Sequence, residues 1–191
     1  MNMNKRTESD PIMQDFLDPE IQGVLARGEF EYVSRDIDDR NLLTTLASRI
    51  QSLKRDGVIV VSLIGGAASG KSTLAKRLAE ELGSADMIGT DDYVVGDRAH
   101  RRKNFEGKDP VSKYDRTFLN RNIEAIRNLK PGESINVPTY NEETGLAVAV
   151  GEENYSHRIH DIHYLIVEGD FQFVDYPDIV IYFHVPEDVR L

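Results

Sequence analysis

The chain has 191 residues, 40% of them apolar and 29% charged, with no cysteine and a formal net charge of -10. That length suits one domain with a short appendage. Lack of cysteine excludes disulfides, thiolate catalysis, zinc–thiolate sites and iron–sulfur clusters. The acidity argues against non-specific binding to nucleic acid or anionic membrane. With no apolar run of signal-peptide or membrane-spanning length, a cytoplasmic protein is expected.

Residues 1–36 show weak periodicity and read as an extension with one short helix around Asp18–Arg27. From Asp38 to Arg55, Leu42, Leu46, Ile50 and Leu53 fall on one helical face. Asp38 or Asp39 would cap that helix, and Gly57 would stop it. Its apolar face either packs on the protein's own sheet or serves a homo-oligomer. Val58–Ile64, almost wholly apolar, predicts a strand buried on both faces. A glycine-rich turn, Gly65–Gly70, leads into a helix over Ser72–Leu82 closed by Gly83. A short strand near Asp86–Gly89 runs into Thr90-Asp91-Asp92-Tyr93, followed by a polar loop to about Ser112. Tyr114–Leu129 predicts a helix stopped by Pro131-Gly132. A hairpin-like pair is expected at Ile135–Pro138 and Leu146–Val150, then core strands at Ile162–Val167 and Asp178–His184. His157, His160 and His163, at three-residue spacing, read as a polar approach to a strand rather than a metal site. Together these elements predict an α/β fold, a P-loop NTPase three-layer sandwich with a mostly parallel central sheet. Residues 1–56 read as an N-terminal helical extension and 57–191 as the P-loop domain.

Gly65-Gly66-Ala67-Ala68-Ser69-Gly70-Lys71-Ser72 fits G-x-x-x-x-G-K-[ST]. A chance match arises in roughly one of one to two hundred chains of this size, and here a buried strand precedes it and a helix follows. Glycines let successive N–H groups converge on phosphate oxygens, and the helix N-terminus points its dipole at the same anion. Lys71 would lie near the β- and γ-phosphates, and Ser72 would offer its hydroxyl to Mg²⁺. The nucleotide-binding set is therefore Gly65, Gly66, Ala67, Ala68, Ser69, Gly70, Lys71, Ser72 and Thr73, with ATP and Mg²⁺ as cofactors. No N-K-x-D guanine motif and no L-S-G-G-Q segment is present. Acids stand at the ends of two predicted strands, as Asp91-Asp92 and Glu168-Gly169-Asp170, where open α/β sheets place their ligands. Such acids either solvate a loop or do what a kinase needs: align an acceptor hydroxyl and hold Mg²⁺.

GGAASGKS, TDDY, VPTYNEETG and VEGDF, in that order, resemble the uridine kinase/phosphoribulokinase/pantothenate kinase group. The likeness runs from about Val58 to Leu191 and is nearest to the phosphoribulokinase branch. It implies an ATP-dependent kinase acting on a hydroxyl of a sugar, sugar phosphate or nucleoside. Asp91 is implied as the catalytic base, with Asp92 the fallback and Lys71 its catalytic partner. Glu168 with Ser72 would hold the metal. Asp92, Tyr93, Arg98, Arg102, Asp115 and Tyr140 are implied in acceptor binding. The basic run Asp97–Lys103 would grip a phosphate or form a solvated loop. Val94 and Glu142 stand where phosphoribulokinases carry histidines. A carboxylate beside a bound dianion is unfavourable, which argues against ribulose 5-phosphate. Such kinases continue past the Arg-Leu seen here as Arg190-Leu191 into an arginine-rich lid, so the expected domain lacks its C-terminal lid. The alternative function is an ATP-binding regulatory module of a longer protein. No nucleic acid or membrane partner is expected.

Overall fold

The computed structural model describes residues 29–34, 39–53, 55–148 and 157–184. Strand β1 (Glu29–Ser34) and helix α1 (Asp39–Gln51) precede strand β2 (Ile59–Gly65), helix α2 (Lys71–Leu82) and strand β3 (Ala85–Gly89). A 3-10 turn at Thr90–Tyr93, helix α3 (Arg98–Phe105), a second 3-10 turn at Pro110–Lys113 and helix α4 (Arg116–Arg127) follow. Four short strands come next: β4 (Ser134–Val137), β5 (Thr139–Tyr140), β6 (Ala147–Val148) and β7 (His157–His160). Strands β8 (Tyr164–Gly169) and β9 (Ile179–His184) complete the described chain.

The main sheet has the order β1-β9-β2-β8-β3, and its described pairings are all parallel. Its central strand β2 is buried along its whole length. Successive side chains of a strand point to opposite faces, so β2 feeds two cores. Ile59, Val61 and Leu63 join Leu42, Leu46 and Ile50 of α1 and Leu74, Leu78 and Leu82 of α2 on one face. Val58 and Val60 join Leu119, Ile123 and Ile126 of α4 on the other. The result is three layers, and it places the ends of β2, β3 and β8 side by side. The Leu42–Ile50 face packs on the protein's own sheet, one of the two readings open from sequence.

Three expectations differ from the structure. A domain boundary at residue 56 does not coincide with the fold, because β1 pairs with β9 in the main sheet and α1 lies in its core. Alternating Phe30 and Tyr32 carry a strand signal, but their pairing partner lies about 150 residues away along the chain. The helix expected at Asp18–Arg27 falls outside the described residues. The hairpin expected between Ile135–Pro138 and Leu146–Val150 does not form. Instead β4 pairs with β7 and β5 with β6. The β4–β7 register sets Ile135 against Ile159, and Ile159 is fully buried there. The polar stretch before Ser112 contains α3, which buries none of its residues and so leaves no apolar period to read.

Candidate active site

The turn after β2 is shaped by close approach. A Cβ on Gly65 would stand 2.4 Å from the Phe183 carbonyl oxygen of β9, so a side chain cannot be accommodated without moving the neighbouring strand. Ala68 (φ 58) and Gly70 (φ 87) both adopt left-handed conformations, which turn successive N–H groups to one side. For a non-glycine residue such as Ala68 that conformation costs about 1–2 kcal/mol, and strain of this kind concentrates at functional sites. The first turn of α2 has neither a side-chain cap nor an acid. Its N–H groups thus face the loop without the usual partner. Ser69, 5% exposed, has a buried hydroxyl with no hydrogen-bond partner among the described residues.

Lys71 is buried, and its Nζ donates to Asp170 Oδ1 at 2.5 Å and to the Gly66 carbonyl at 3.3 Å. Ser72 Oγ donates to Glu168 Oε1 at 3.1 Å. Parallel pairing of β3 and β8 sets Gly89 beside Glu168, which brings the Thr90–Tyr93 turn against the same end of the sheet. Thr90 packs on Gly169, where a Cβ would lie 2.4 Å from Thr90 Oγ1. Burial pushes the Glu168 carboxyl up from its ordinary range; Lys71 and the Ser72 hydroxyl oppose this, while the Asp91 and Asp170 carboxylates add to it.

The neighbouring acids Asp91 and Asp92 are used differently. Asp91 is exposed, and the Tyr114 hydroxyl donates to its Oδ1 at 3.1 Å. Asp92 turns inward. Its Oδ2 accepts from the Gly89 N–H at 2.7 Å and its Oδ1 from the Tyr140 N–H at 2.8 Å. Burial still raises the Asp92 carboxyl, because those two bonds only partly offset desolvation. The carboxylate thus ties the turn to β5. Tyr114 is held by a bridge to Val94 and by packing on Phe171 and Phe173. Burial, then the charge of Asp91, drives its phenol well above the usual range, so it remains a donor.

The acceptor residues implied by resemblance scatter in role. Tyr93 is 2% exposed, and its hydroxyl accepts from Asn122 Nδ2 at 3.2 Å inside the core, which removes it from a binding surface. The Asp115 carboxylate caps α4 by accepting from the Phe118 N–H at 2.9 Å. Arg98 pairs with Glu142 at 3.5 Å, and Arg102 lies on the exposed face of α3. Tyr140 faces α3: its hydroxyl accepts from Arg101 Nη2 at 3.3 Å, and the Arg101 guanidinium sits 5.9 Å over its ring. Arg101 also donates to the Gly96 and Gly145 carbonyls, clamping α3 to the turn after β5.

Tyr114, Asp170 and Arg101 were not among the predicted site residues. Asp170 carried a visible signal as the second acid of Glu168-Gly169-Asp170. Arg101 was visible only as a member of the basic run Asp97–Lys103 and Tyr114 carried no signal of its own, since their particular contacts are made 39 and 23 residues away along the chain. Of the histidines, His157 on β7 donates from Nε2 to Asp86 Oδ1 at 2.8 Å, and His160 lies near Asp161 at 3.5 Å. Among the described residues no helix is long and apolar enough to cross a membrane.

The donor set fits a magnesium-bound nucleotide. An uncapped helix start and an unpartnered Ser69 hydroxyl suit phosphate oxygens, and the Ser72 hydroxyl with the Glu168 carboxylate suits a hard cation.

Fold and loop together define a P-loop protein of the three-layer α/β type. The profile of the Phosphoribulokinase / Uridine kinase family matches residues 60–191, and the chain belongs to that family. A phosphoribulokinase of Synechocystis sp. is 32% identical over 142 residues, 71% of this chain and 40% of that protein. A uridine kinase of Haemophilus influenzae is 34% identical over 90 residues, 43% of this chain and 41% of that protein. The matched part thus spans about two fifths of these relatives' length. Among solved structures, a candidate fructose transport system kinase from Silicibacter sp. TM1040 superposes with a TM-score of 0.63 at 22% identity, covering 75% of each chain. A possible uridine kinase from Bacillus stearothermophilus gives 0.60 at 22% identity, over 81% of this chain and 85% of that one. At such identities these two establish the fold.

Proposed function

We propose that this chain is the catalytic part of an ATP-dependent small-molecule kinase that transfers the γ-phosphoryl group to a hydroxyl of a sugar, sugar phosphate or nucleoside. The observation that carries this reading is the convergence of two side-chain pairs, Ser72–Glu168 and Tyr114–Asp91, at the ends of β8 and β3 beside the P-loop. Asp91 is the base. One of its oxygens is held by Tyr114, which leaves the other to accept the hydrogen bond of the incoming hydroxyl. An aspartate is a far weaker base than an alkoxide, so proton transfer is late and the carboxylate's main work is orientation. Such a group contributes on the order of 10²–10⁴-fold in rate. Lys71 moves from Asp170 to the β- and γ-phosphate oxygens. Ser72 and Glu168 would hold Mg²⁺, which supplies charge neutralisation at the transferring group. Tyr140 and the α3 arginines border the acceptor.

The test is transfer of γ-labelled phosphate from ATP to a panel of pentose and hexose phosphates, free sugars, uridine, cytidine and pantothenate. Transfer to one acceptor, lost in Lys71→Ala, is the expected result. Retained transfer in Lys71→Ala contradicts the P-loop assignment.

A second reading, an ATP-binding regulatory module, draws on the Lys71–Asp170 ion pair, which occupies the lysine that transfer requires. Mg·ATP binding without transfer to any acceptor, in a chain extended beyond Leu191 as well, would favour it.

A further inference from the structure

We infer that Asp170 is a positioning residue that acts through Lys71 as a built-in competitor of nucleotide phosphate. It holds the lysine beside the loop and must surrender it before the lysine can serve the β- and γ-phosphates, so it sets how tightly the nucleotide is bound. This rests on the nucleotide reading of the loop and gives a role to an acid which that reading does not use.

The two members of the pair have unequal needs. The Lys71 side chain is 10% exposed and that of Asp170 is 40% exposed. A desolvated ammonium left without an anion is strongly unfavourable. Lys71 Nζ donates to Asp170 Oδ1 at 2.5 Å, and its other partner among the described residues is the Gly66 carbonyl at 3.3 Å. That carbonyl carries no charge, so the lysine requires one anion at all times, and carboxylate and phosphate are alternatives for it. Asp170 has no such requirement, because its half-exposed carboxylate returns to water when the lysine leaves.

The fold keeps the competitor in reach. Asp170 directly follows β8 and meets the first residue of α2, 99 residues earlier in the chain. Its neighbour Phe171 packs on Tyr114, with 6.5 Å between ring centroids, which braces the segment beside the loop. Glu168, two residues earlier, takes the Ser72 hydroxyl instead. The two acids at this strand end therefore divide their work: Glu168 stands with a hydroxyl that suits a hard cation, and Asp170 engages the lysine. A phosphate that recruits Lys71 first breaks a charge-assisted bond, and binding gains only the difference.

The test is calorimetric titration with Mg·ATP and Mg·ADP. Asp170→Asn leaves a neutral acceptor for the lysine at a half-exposed position, so the fold should stand, which a melt of the ligand-free protein checks. It should bind both nucleotides about 5- to 50-fold more tightly than the parent. Asp170→Glu restores the charge and should return affinity to within about threefold of the parent. In a Lys71→Ala background, Asp170→Asn should change affinity by less than about twofold, since no lysine remains to compete for. Unchanged or weaker binding in Asp170→Asn overturns the inference, and so does an equal gain in the Lys71→Ala background, which would make general charge removal the cause. In either case the P-loop reading stands as long as the parent binds Mg·ATP; a parent that binds neither nucleotide removes both.

Discussion

Replacing Asp91 and Asp92 singly by asparagine should separate catalysis from support within one dipeptide. At Asp92 two carboxylate oxygens accept two backbone N–H groups, at 2.7 and 2.8 Å. Asparagine keeps one acceptor and turns its amide NH₂ toward the second N–H. Loss of one charge-assisted bond costs about 1.5–3 kcal/mol. Part of that returns, because burial already disfavours the ionised carboxylate. A net loss of about 1–2 kcal/mol remains. For a domain of this size that is a fall of about 2–8 °C in Tm. Asp91 is exposed and meets Tyr114 through one oxygen that asparagine retains. Asp91→Asn should therefore stay within about 0.5 kcal/mol of the unaltered protein, keep nucleotide binding, and lose about 10²–10⁴-fold in transfer. Thermal melts followed by circular dichroism, run beside labelled-phosphate transfer, read both quantities. The reasoning is refuted if Asp92→Asn melts like the parent yet loses transfer, while Asp91→Asn transfers normally.

Tyr114→Phe keeps the packed ring and deletes the donor to Asp91; kcat should fall about 5- to 30-fold with the KM for ATP unchanged, and in an Asp91→Asn background it should have no further effect. Gly169→Ala drives a methyl into Thr90; it should cost about 1–3 kcal/mol and displace the turn bearing Asp91, and Thr90→Ala in the same chain should restore part of both, so a double variant no better than the single counts against that contact. The hydrogen bond to Asp86 raises the His157 imidazole above its ordinary value. A raised folded-state pKa means that its stabilisation is fully present below the unfolded value near 6.5 and fades as pH climbs through the folded one. The pair is partly exposed, so the difference between parent and His157→Ala should shrink by at most about 0.5 kcal/mol between pH 6 and pH 8.5 in denaturant titrations. A difference that grows over that interval would contradict the assignment.

Much of the central architecture was legible because its signals are local. The Val58–Ile64 run needs burial on both faces wherever it is placed, and the glycine-lysine-serine pattern specifies its own torsions and charges. Residues four and three apart on α1 and α2 meet on one helical face regardless of partners. The strand-end acids were visible for the same reason. Their division of labour was not, because Asp91 and Asp92 are chemically identical and differ only in direction.

What the chain alone determined is thus the P-loop, the parallel α/β plan and the family to which these belong, since each follows from short stretches whose chemistry allows few alternatives. Tertiary structure decided which acid faces solvent and which caps the Thr90–Tyr93 turn, and that Tyr93 lies inside while Tyr114 reaches Asp91. It decided that β4 pairs with β7 instead of closing a hairpin, and that β1 and α1 complete the main body. Each of these outcomes depends on groups distant in sequence competing for one partner or one buried place. Periodicity and spacing describe what a segment can bury, but the partner that buries it is chosen only when the whole chain packs.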